Sequence, residues 1–313
     1  LQVFTISWRN PTVAERELGL DDYVGACERA IAMVSEVSGS PDCNVLGICA
    51  GGITTSLTLA HLAALGERKV NAATLLVTML DTSLPSMTGM FATEDVITDA
   101  IDRSRKKGVL AGSDMARVFA WLRPNDLVWN YWVNNYLMGE APPAFDILYW
   151  NSDSTNLPAR LHEGFLDLFL RNPLARAGAV KIMGQPIDLR AVKSDLYLLA
   201  GQTDHICSWR ACYRATRMFG GEVEFVLNSS GHVQSLVNPP GNLKSHYFSN
   251  SNLPENPDHW LSGATDNRGT WWDHWLKWMS SRSADERPAP SALGNPEHPP
   301  LGPAPGSYVR ERH

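Results

Sequence analysis

The sequence predicts an α/β protein, a mostly parallel sheet with flanking helices, interrupted by one long helical insertion. Strand-like and helix-like segments alternate through the first part of the chain, and a glycine-rich turn joins one apolar strand directly to the next helix. The alternation stops near Ser83 and resumes after Asp188 with SDLYLLAG and VEFVLNSSG. Strands that alternate with helices are typical of a parallel sheet whose connections cross over its faces.

The first segments establish the alternation. LQVFTISW alternates apolar and polar residues and is rich in β-formers, which predicts a strand. LDDYVGACERAIAMVSEVSG places apolar residues at helical spacing, with Gly39 as the predicted end of the helix. CNVLGIC and ATLLVTMLD are short apolar strands, and AGGITTSLTLAHLAALG between them is a helix of small residues.

Residues 83–188 form the predicted insertion, while residues 1–82 and 189–313 form the predicted core. A long insertion between sheet strands commonly serves as a lid over a site. Its aromatic side chains can line an apolar path for a substrate, although packing within the insertion is the alternative. The aromatic candidates are Trp129, Trp132, Tyr136 and Trp150, and the candidate hinges are Gly108, Gly112, Pro142 and Pro143.

The final helix is predicted in GTWWDHWLKWMSSR, where Trp271, Trp275 and Trp278 share one helical face. Packing against the core is the expected role of this face. The proline-rich segment that follows is expected to extend over the surface.

Composition excludes several function classes. The chain has 313 residues, of which 44% are hydrophobic and 19% charged, and a formal net charge of -6, which argues against a nucleic-acid-binding surface. No apolar run approaches the roughly 18 residues of a transmembrane segment, and no signal peptide is evident. The first residue is not methionine, so an N-terminal region is expected to be missing from this sequence.

Cys49 lies in the pattern Gly47-Ile48-Cys49-Ala50-Gly51, the spacing of a nucleophile elbow with cysteine in place of serine. The turn is expected to need small residues two positions before and after the nucleophile, because side chains there would collide with the strand and helix. It would hold the sulfur at a helix N-terminus, which favours thiolate, with the Ala50 N–H aimed at a developing oxyanion. The alternative is a tight turn with a buried, inert cysteine.

Asp204 and His232 each follow a predicted sheet strand, where open α/β sheets build their sites. Singly, Asp204 could be a turn aspartate and His232 a loop histidine. The order nucleophile, acid, histidine is the one that elbow enzymes use, so with Cys49 the two residues predict a catalytic triad. His205 beside Asp204 is expected to point away from it.

The remaining cysteines lack an elbow and are expected to be packing or surface thiols. They are Cys27, Cys43, Cys207 and Cys212. Because the chain contains no C-x-x-C pair, no metal site is predicted. An odd number of scattered cysteines is typical of a reducing cytoplasm.

Long segments of the chain resemble the catalytic region of polyhydroxyalkanoate synthases. They include ISWRNP, GICAGG, KKGVL, MARVFAWLRPNDLVWNYWVNNYL, PPAFDILYWNSD, GQTDHICSW, SGHVQSLVNPPGN and ALGN…PGSYV. The insertion and tail are most similar to the class II, medium-chain-length branch. The sequence departs from the family in HICSW, where a proline before the tryptophan is commoner, and it lacks the family's N-terminal domain. A second oxyanion donor is expected upstream of Leu1.

The resemblance implies an α/β-hydrolase core with a helical lid, and Cys49, Asp204 and His232 fall on the family's triad. It also implies that (R)-3-hydroxyacyl-CoA is the substrate, that a growing polyester is the product, and that CoA is released without a further cofactor. Homodimers acting at the surface of polyhydroxyalkanoate granules in the cytoplasm are implied as well. Substrate-binding residues and the preferred side-chain length are not predicted.

A thiol nucleophile suits this chemistry, because acyl transfer from CoA to cysteine exchanges one thioester for another. His232 would take the thiol proton, and Asp204 would orient His232. Which of the two bases activates the incoming 3-hydroxyl stays open.

A basic cluster in the insertion could meet the phosphates of CoA, although a solvated helix end is the favoured interpretation. Its residues are Arg103, Arg105, Lys106 and Lys107.

Two other functions remain compatible with the sequence. One is a thioesterase or polyester hydrolase with a cysteine nucleophile. The other is a non-catalytic granule-surface protein that kept the fold.

Overall fold

The computed structural model describes residues 1–84, 93–122, 128–142, 153–242 and 244–311. The chain divides into two compact units: the first contains Leu1–Arg9, Asp21–Leu84 and Asn172–His313, and the second contains Asn10–Leu20 and Pro85–Arg171. Residues 172–188, which the sequence assigned to the insertion, therefore lie in the first unit. Trp150 and Pro143 lie outside the described residues.

The first unit is built on a six-stranded sheet with the spatial order β1-β2-β7-β8-β9-β10. The strands of the described residues are β1 (Cys43–Ile48), β2 (Val70–Leu76), β3 (Val109–Leu110), β4 (Leu157–Pro158), β5 (Lys181–Ile182), β6 (Gln185–Pro186), β7 (Asp195–Gly201), β8 (Val223–Asn228), β9 (His246–Ser249) and β10 (Thr265–Arg268). β1, β2, β7 and β8 are parallel, whereas β9 and β10 add antiparallel strands. The mostly parallel sheet is as predicted.

Helices flank this sheet within the first unit. They are α1 (Leu20–Ser38), α2 (Ala50–Ala64), Trp209–Arg214, His232–Leu236, Pro257–Ser262 and Trp271–Ser280. α1 ends where the sequence predicts, because Gly39 adopts a left-handed φ of 67°. α2 is apolar on nearly all sides, and it is correspondingly buried through most of its length.

Strand register aligns the carboxyl ends of the four parallel strands. Ile48 pairs with Leu76, Leu76 with Leu199, and Leu199 with Val226. Segments that leave β1, β7 and β8 therefore emerge at the same edge of the sheet. This is the edge at which parallel sheets carry their functional residues.

The tryptophan-rich final helix packs against the sheet, as predicted. Trp271 is fully buried in a cluster with Leu76, Tyr197, Leu199 and Val226. Its indole Nε1 donates to the Ser235 carbonyl at 2.7 Å, so burial leaves no unsatisfied donor. Trp275 and Trp278 pack against the same cluster.

The predicted strand in LQVFTISW is wrong: residues 1–12 have no regular secondary structure. A strand needs a neighbour to satisfy its backbone groups, and β1 pairs only with β2 among the described residues. Leu1 and Val3 are each 79% exposed. The alternation of apolar and polar residues and their β-propensity are therefore not sufficient for a strand where no neighbouring strand pairs with the segment.

The second unit is mainly helical. Its described helices are α3 (Glu94–Lys107), α4 (Gly112–Leu122), the π-helical segment Trp132–Leu137 and Ala159–Arg171. α3 packs against Ala159–Arg171, and a buried hydrogen bond joins His162 Nδ1 to Ser104 Oγ at 3.0 Å. β3 and β4 form a two-residue antiparallel pair in this unit, apart from the main sheet.

Most of the basic cluster is neutralised within the second unit. Arg103 pairs with Asp99 at 3.1 Å, Arg105 with Glu163 at 2.6 Å and Lys107 with Asp114 at 3.1 Å. Arg105, Lys106 and Lys107 occupy the last turn of α3, where cations interact favourably with the helix dipole. These pairs favour the solvated helix end over a phosphate site.

Several predicted lid aromatics are solvent-exposed rather than packed as a core. Trp129, Trp132 and Tyr136 are 50%, 49% and 71% exposed. Together with Val128, Tyr131 and Asn135 they line an open groove of about 530 Å³. Trp132 and Tyr136 stack with ring centroids 4.4 Å apart.

No helix among the described residues is long and apolar enough to cross a membrane.

Asp81 holds together the places where the chain leaves β2 and returns at residue 172. Its Oδ1 accepts hydrogen bonds from the Ser83 N–H at 2.9 Å and from Asn172 Nδ2 at 2.8 Å, and its Oδ2 pairs with Arg214 Nε at 2.5 Å. Asn172 Oδ1 in turn accepts from the Thr82 N–H at 3.0 Å. Burial acts to raise the pKa of Asp81, but hydrogen bonds from Arg214, Ser83 and Asn172 outweigh burial and lower it to about 2.

Asp81→Asn is expected to lower the free energy of unfolding by about 2 kcal/mol at neutral pH, because Arg214 loses its partner at a buried carboxylate. The folded pKa lies below the ordinary aspartate value of 3.8, so this contribution is present above pH 3.8 and is lost as the pH falls towards 2. Urea unfolding at several pH values measures it. Asp258→Asn, which breaks an exposed pair with Arg210, serves as the control and should change stability little. Equal effects of the two variants at neutral pH would contradict this role of Asp81.

Candidate active site

Cys49 occupies a strained turn between β1 and α2. Its φ of 51° and ψ of -119° lie in a region that non-glycine residues rarely adopt. The Cys49 N–H donates to the Leu76 carbonyl at 2.9 Å, while the Cys49 carbonyl accepts from the N–H groups of Gly52 and Ile53. Sheet and helix thus hold the strained residue from both sides, as expected of an elbow.

Glycine is required around Cys49, but not at both predicted positions. A Cβ at Gly47 would lie 2.8 Å from the Gly52 Cα and 2.9 Å from the Gly51 carbonyl oxygen. This confirms that a small residue is needed two positions before Cys49. A Cβ at Gly51 meets nothing within 4 Å, whereas one at Gly52 would lie 2.8 Å from the Thr78 Cβ. The prediction for Gly51 is therefore wrong, because the close approach of α2 to the sheet occurs at Gly52.

Gly52→Ala is expected to destabilise the fold by about 2 kcal/mol, because Thr78 or α2 must move to accommodate the methyl group. Gly51→Ala is the matched control: it adds the same methyl group to the same helix and should be neutral or slightly stabilising. Thermal and urea unfolding of the two variants measure the difference. Similar stabilities for both would contradict the close contact at Gly52.

Asp204 and His232 meet at the carboxyl edge of the sheet. Asp204 follows β7, His232 begins the short helix after β8, and Asp204 Oδ2 lies 2.7 Å from His232 Nδ1. The Thr203 N–H donates to the Ser230 carbonyl at 3.3 Å, which joins the two loops. The Asp204 side chain is 0% exposed and that of His232 10% exposed, so the hydrogen bond is sheltered from water.

His232 also lies near enough to the Cys49 thiol for each group to shift the pKa of the other. The three residues predicted from separate segments are therefore assembled in the order Asp204, His232, Cys49. Burial acts to lower the pKa of His232, but the hydrogen bonds to Asp204 and Cys49 outweigh burial and raise it to about 9.

The Cys49 thiol is strongly acidified. A hydrogen bond with the Cys207 thiol contributes most to lowering the pKa of Cys49 well below its ordinary value; burial opposes this, and His232 and the Ala50 N–H lower it further. A low pKa at Cys49 and a raised pKa at His232 together favour a thiolate–imidazolium pair at neutral pH. The role of the Ala50 N–H as an oxyanion donor stays a prediction.

Cys207 is 5% exposed, as expected of a packing thiol, and it packs beside the candidate site. Its sulfur lies within 4.8 Å of an Asp204 oxygen and a His232 ring nitrogen. A usable signal lay in its position three residues after Asp204, because an aspartate often accepts backbone N–H groups two and three residues later. Cys27 lies on α1 and Cys43 on β1, as expected, and Cys212 is buried in the helix Trp209–Arg214.

Two groups among the described residues bring possible metal-ligand atoms within 4.8 Å of one another. They are Asp204, Cys207 and His232, and Glu36, Glu297 and His298. In the first group, both Asp204 oxygens accept hydrogen bonds from protein groups. These hydrogen bonds explain why the three residues lie close together. The second group is a surface contact in which His298 Nε2 lies 2.7 Å from Glu36 Oε2.

Comparison with known proteins identifies a fold family and several relatives of this chain. The profile of the α/β hydrolase fold family matches residues 1–239. Poly(3-hydroxyalkanoate) polymerase 1 of Ectopseudomonas oleovorans is 50% identical over 311 residues, covering 99% of this chain and 56% of that protein. Polymerase 2 of the same organism is 50% identical over 313 residues, covering 100% and 56%.

A more distant relative shows the same extent of similarity. The poly(3-hydroxyalkanoate) polymerase subunit PhaC of Cupriavidus necator is 38% identical over 317 residues, covering 99% of this chain and 54% of that protein. The chain thus spans about half the length of the relatives it matches.

Proposed function

We propose that this chain is the catalytic region of a polyhydroxyalkanoate synthase. The chain belongs to the α/β-hydrolase fold family. Its relatives confirm the resemblance to these synthases that the sequence predicts. Its substrate would be an (R)-3-hydroxyacyl-CoA and its product a polyester, with CoA released. The observation that carries this proposal at the site is the buried Asp204–His232 pair beside the acidified thiol of Cys49.

In this mechanism the Cys49 thiolate attacks the thioester carbonyl of the substrate. A C–S bond forms to Cys49, the bond to CoA breaks, and the imidazolium of His232 donates its proton to the departing CoA sulfur. One thioester replaces another, so the acyl-enzyme stays reactive. A serine ester would be a poorer acyl donor.

In the second half-reaction the 3-hydroxyl of another unit attacks the acyl-enzyme. The hydroxyl proton passes to a base, an ester bond forms, and Cys49 leaves as thiolate. His232 is neutral after the first step and contacts the sulfur, which makes it the nearer base. Asp204 lies behind His232 and keeps the ring oriented through Nδ1.

The partners follow from this assignment. We propose that the chain needs no cofactor beyond the CoA of its substrate, that it forms a homodimer, and that it acts at the surface of polyester granules in the cytoplasm. The exposed apolar side chains of Trp129, Trp132 and Tyr136 are suited to an uncharged, chain-like substrate or product.

Cys49→Ala is expected to lower turnover of 3-hydroxyoctanoyl-CoA by at least about 10³-fold, because it removes the thiol that the elbow between β1 and α2 presents. The assay follows CoA release together with insoluble polymer. Cys27→Ala is the matched control and should retain activity. CoA release with free hydroxy acid would instead indicate a hydrolase, and no release from the unmodified protein would indicate a non-catalytic granule-surface protein.

We also propose that the predicted insertion acts as a lid, because water would hydrolyse the acyl-enzyme. Replacing Trp129, Trp132 and Tyr136 together by serine should raise the ratio of free hydroxy acid to polymer several-fold. These side chains are exposed, so the fold should tolerate the change. Replacing the exposed Val96 and Val118 of the same unit by serine is the control. An unchanged product ratio in the triple variant would count against the lid.

A further inference from the structure

The helix His232–Leu236 carries the candidate histidine, and it is too short to hold itself in place. It has five residues, and its N-cap is Gly231, which has no side chain to cap it. A helix of this length is unstable on its own, so contacts from elsewhere in the first unit must fix its position. Because His232 Nδ1 lies 2.7 Å from Asp204 Oδ2, a small displacement of the helix would break that hydrogen bond.

Ser235, three residues after His232, is the residue at which this helix is held. Its hydroxyl oxygen accepts a hydrogen bond from Asn228 Nδ2 at 3.2 Å, and its backbone carbonyl accepts one from Trp271 Nε1 at 2.7 Å. Asn228 ends β8 and Trp271 begins the final helix, so the sheet and the final helix hold the same residue. All three residues are fully buried, where water cannot replace a lost hydrogen bond.

The Trp271 indole replaces a donor that the sequence of the short helix does not provide. In a longer helix the N–H four residues later would satisfy the Ser235 carbonyl. That position is Pro239, which has no N–H. A buried carbonyl without a partner is costly, and the indole N–H satisfies it from the final helix. The contact therefore fixes the carboxyl end of the helix that carries His232.

Gly201 allows the same helix to pack directly on the end of β7. A Cβ at this position would lie 2.7 Å from the Ser230 carbonyl oxygen and 2.8 Å from the Ser235 hydroxyl oxygen. The Asp204 N–H donates to the Gly201 carbonyl at 3.2 Å. The residue that admits the histidine helix thus also anchors the turn that carries the carboxylate, and both partners of the Asp204–His232 hydrogen bond are positioned from one point.

We propose that Trp271, Asn228 and Ser235 are positioning residues that hold His232 against Asp204. They act on the reaction through the histidine and not on the substrate. Burial of the Trp271 ring is expected of any core residue, whereas its hydrogen bond to the histidine helix is a further, directional contact. The contacts themselves are geometric, but their effect on catalysis rests on the function proposed above.

The test is Trp271→Phe, which keeps an aromatic ring in the core and removes the Nε1–H donor. Trp260→Phe is the matched control, because Trp260 is also fully buried and its Nε1 donates to the carbonyl of Asn250, after β9, at 3.2 Å. Both variants should lose stability. In proton NMR, the downfield Nδ1–H signal of His232, assigned by its loss in His232→Gln, should broaden through exchange with water in Trp271→Phe and stay unchanged in Trp260→Phe.

Turnover of 3-hydroxyoctanoyl-CoA should fall about tenfold in Trp271→Phe with little change in KM, because a misplaced histidine affects the chemical step more than binding. Trp260→Phe should retain its turnover. Ser235→Ala removes the contact with Asn228 and should produce the same NMR and kinetic changes, so it replaces Trp271→Phe if that variant does not fold.

Equal His232 signals in the two tryptophan variants would overturn the proposal, as would an unchanged signal in Ser235→Ala. The NMR comparison needs no substrate. An unmodified protein without turnover would therefore contradict the proposed function, while the His232 signal would still decide whether these residues position the histidine.

Discussion

The buried carboxylate of Asp204 is the interaction on which the site depends. One oxygen accepts the N–H groups of Ile206 and Cys207 and so shapes the loop after β7; the other accepts from His232 and orients its ring. A carboxylate with no solvent exposure is costly unless its lone pairs are satisfied, and here protein donors satisfy both oxygens. The same group thus supports the imidazolium electrostatically and sets the position of a second thiol.

This arrangement helps to explain why the pKa of Cys49 is lowered although burial acts to raise it. Burial alone would raise the pKa of Cys49, as it does for Cys27 and Cys43, which lie elsewhere in the same unit. At Cys49, hydrogen-bond donors from separate parts of the chain reverse that tendency. The strained backbone of Cys49 is what allows the sulfur to meet them, and the sheet and α2 compensate for the strain.

The sheet and the three site residues were predictable because the relevant signals are local. Apolar runs of strand length predict β1, β2, β7 and β8, and parallel register then brings their carboxyl ends together. β9 and β10 were missed because HYFS and TDNR are short, partly polar segments, and they become strands only because β9 pairs with β8 and β10 pairs with β9. The position of Cys207 beside Asp204 and His232 and the shift from Gly51 to Gly52 depend on contacts across the fold, which sequence spacing does not contain.

The interactions of Asp81 bear on how the chain tolerates change. Thr82 and Ser83, where the chain leaves β2, and Asn172, where it returns, are held at one point by the same few hydrogen bonds. The two ends of the chain segment between Ser83 and Asn172 are already held together. A change in the length of that segment therefore alters the entropy cost of closing the loop only with the logarithm of its length. Relatives can then diverge by exchanging this segment as a module, while the sheet edge that carries Cys49, Asp204 and His232 keeps its geometry.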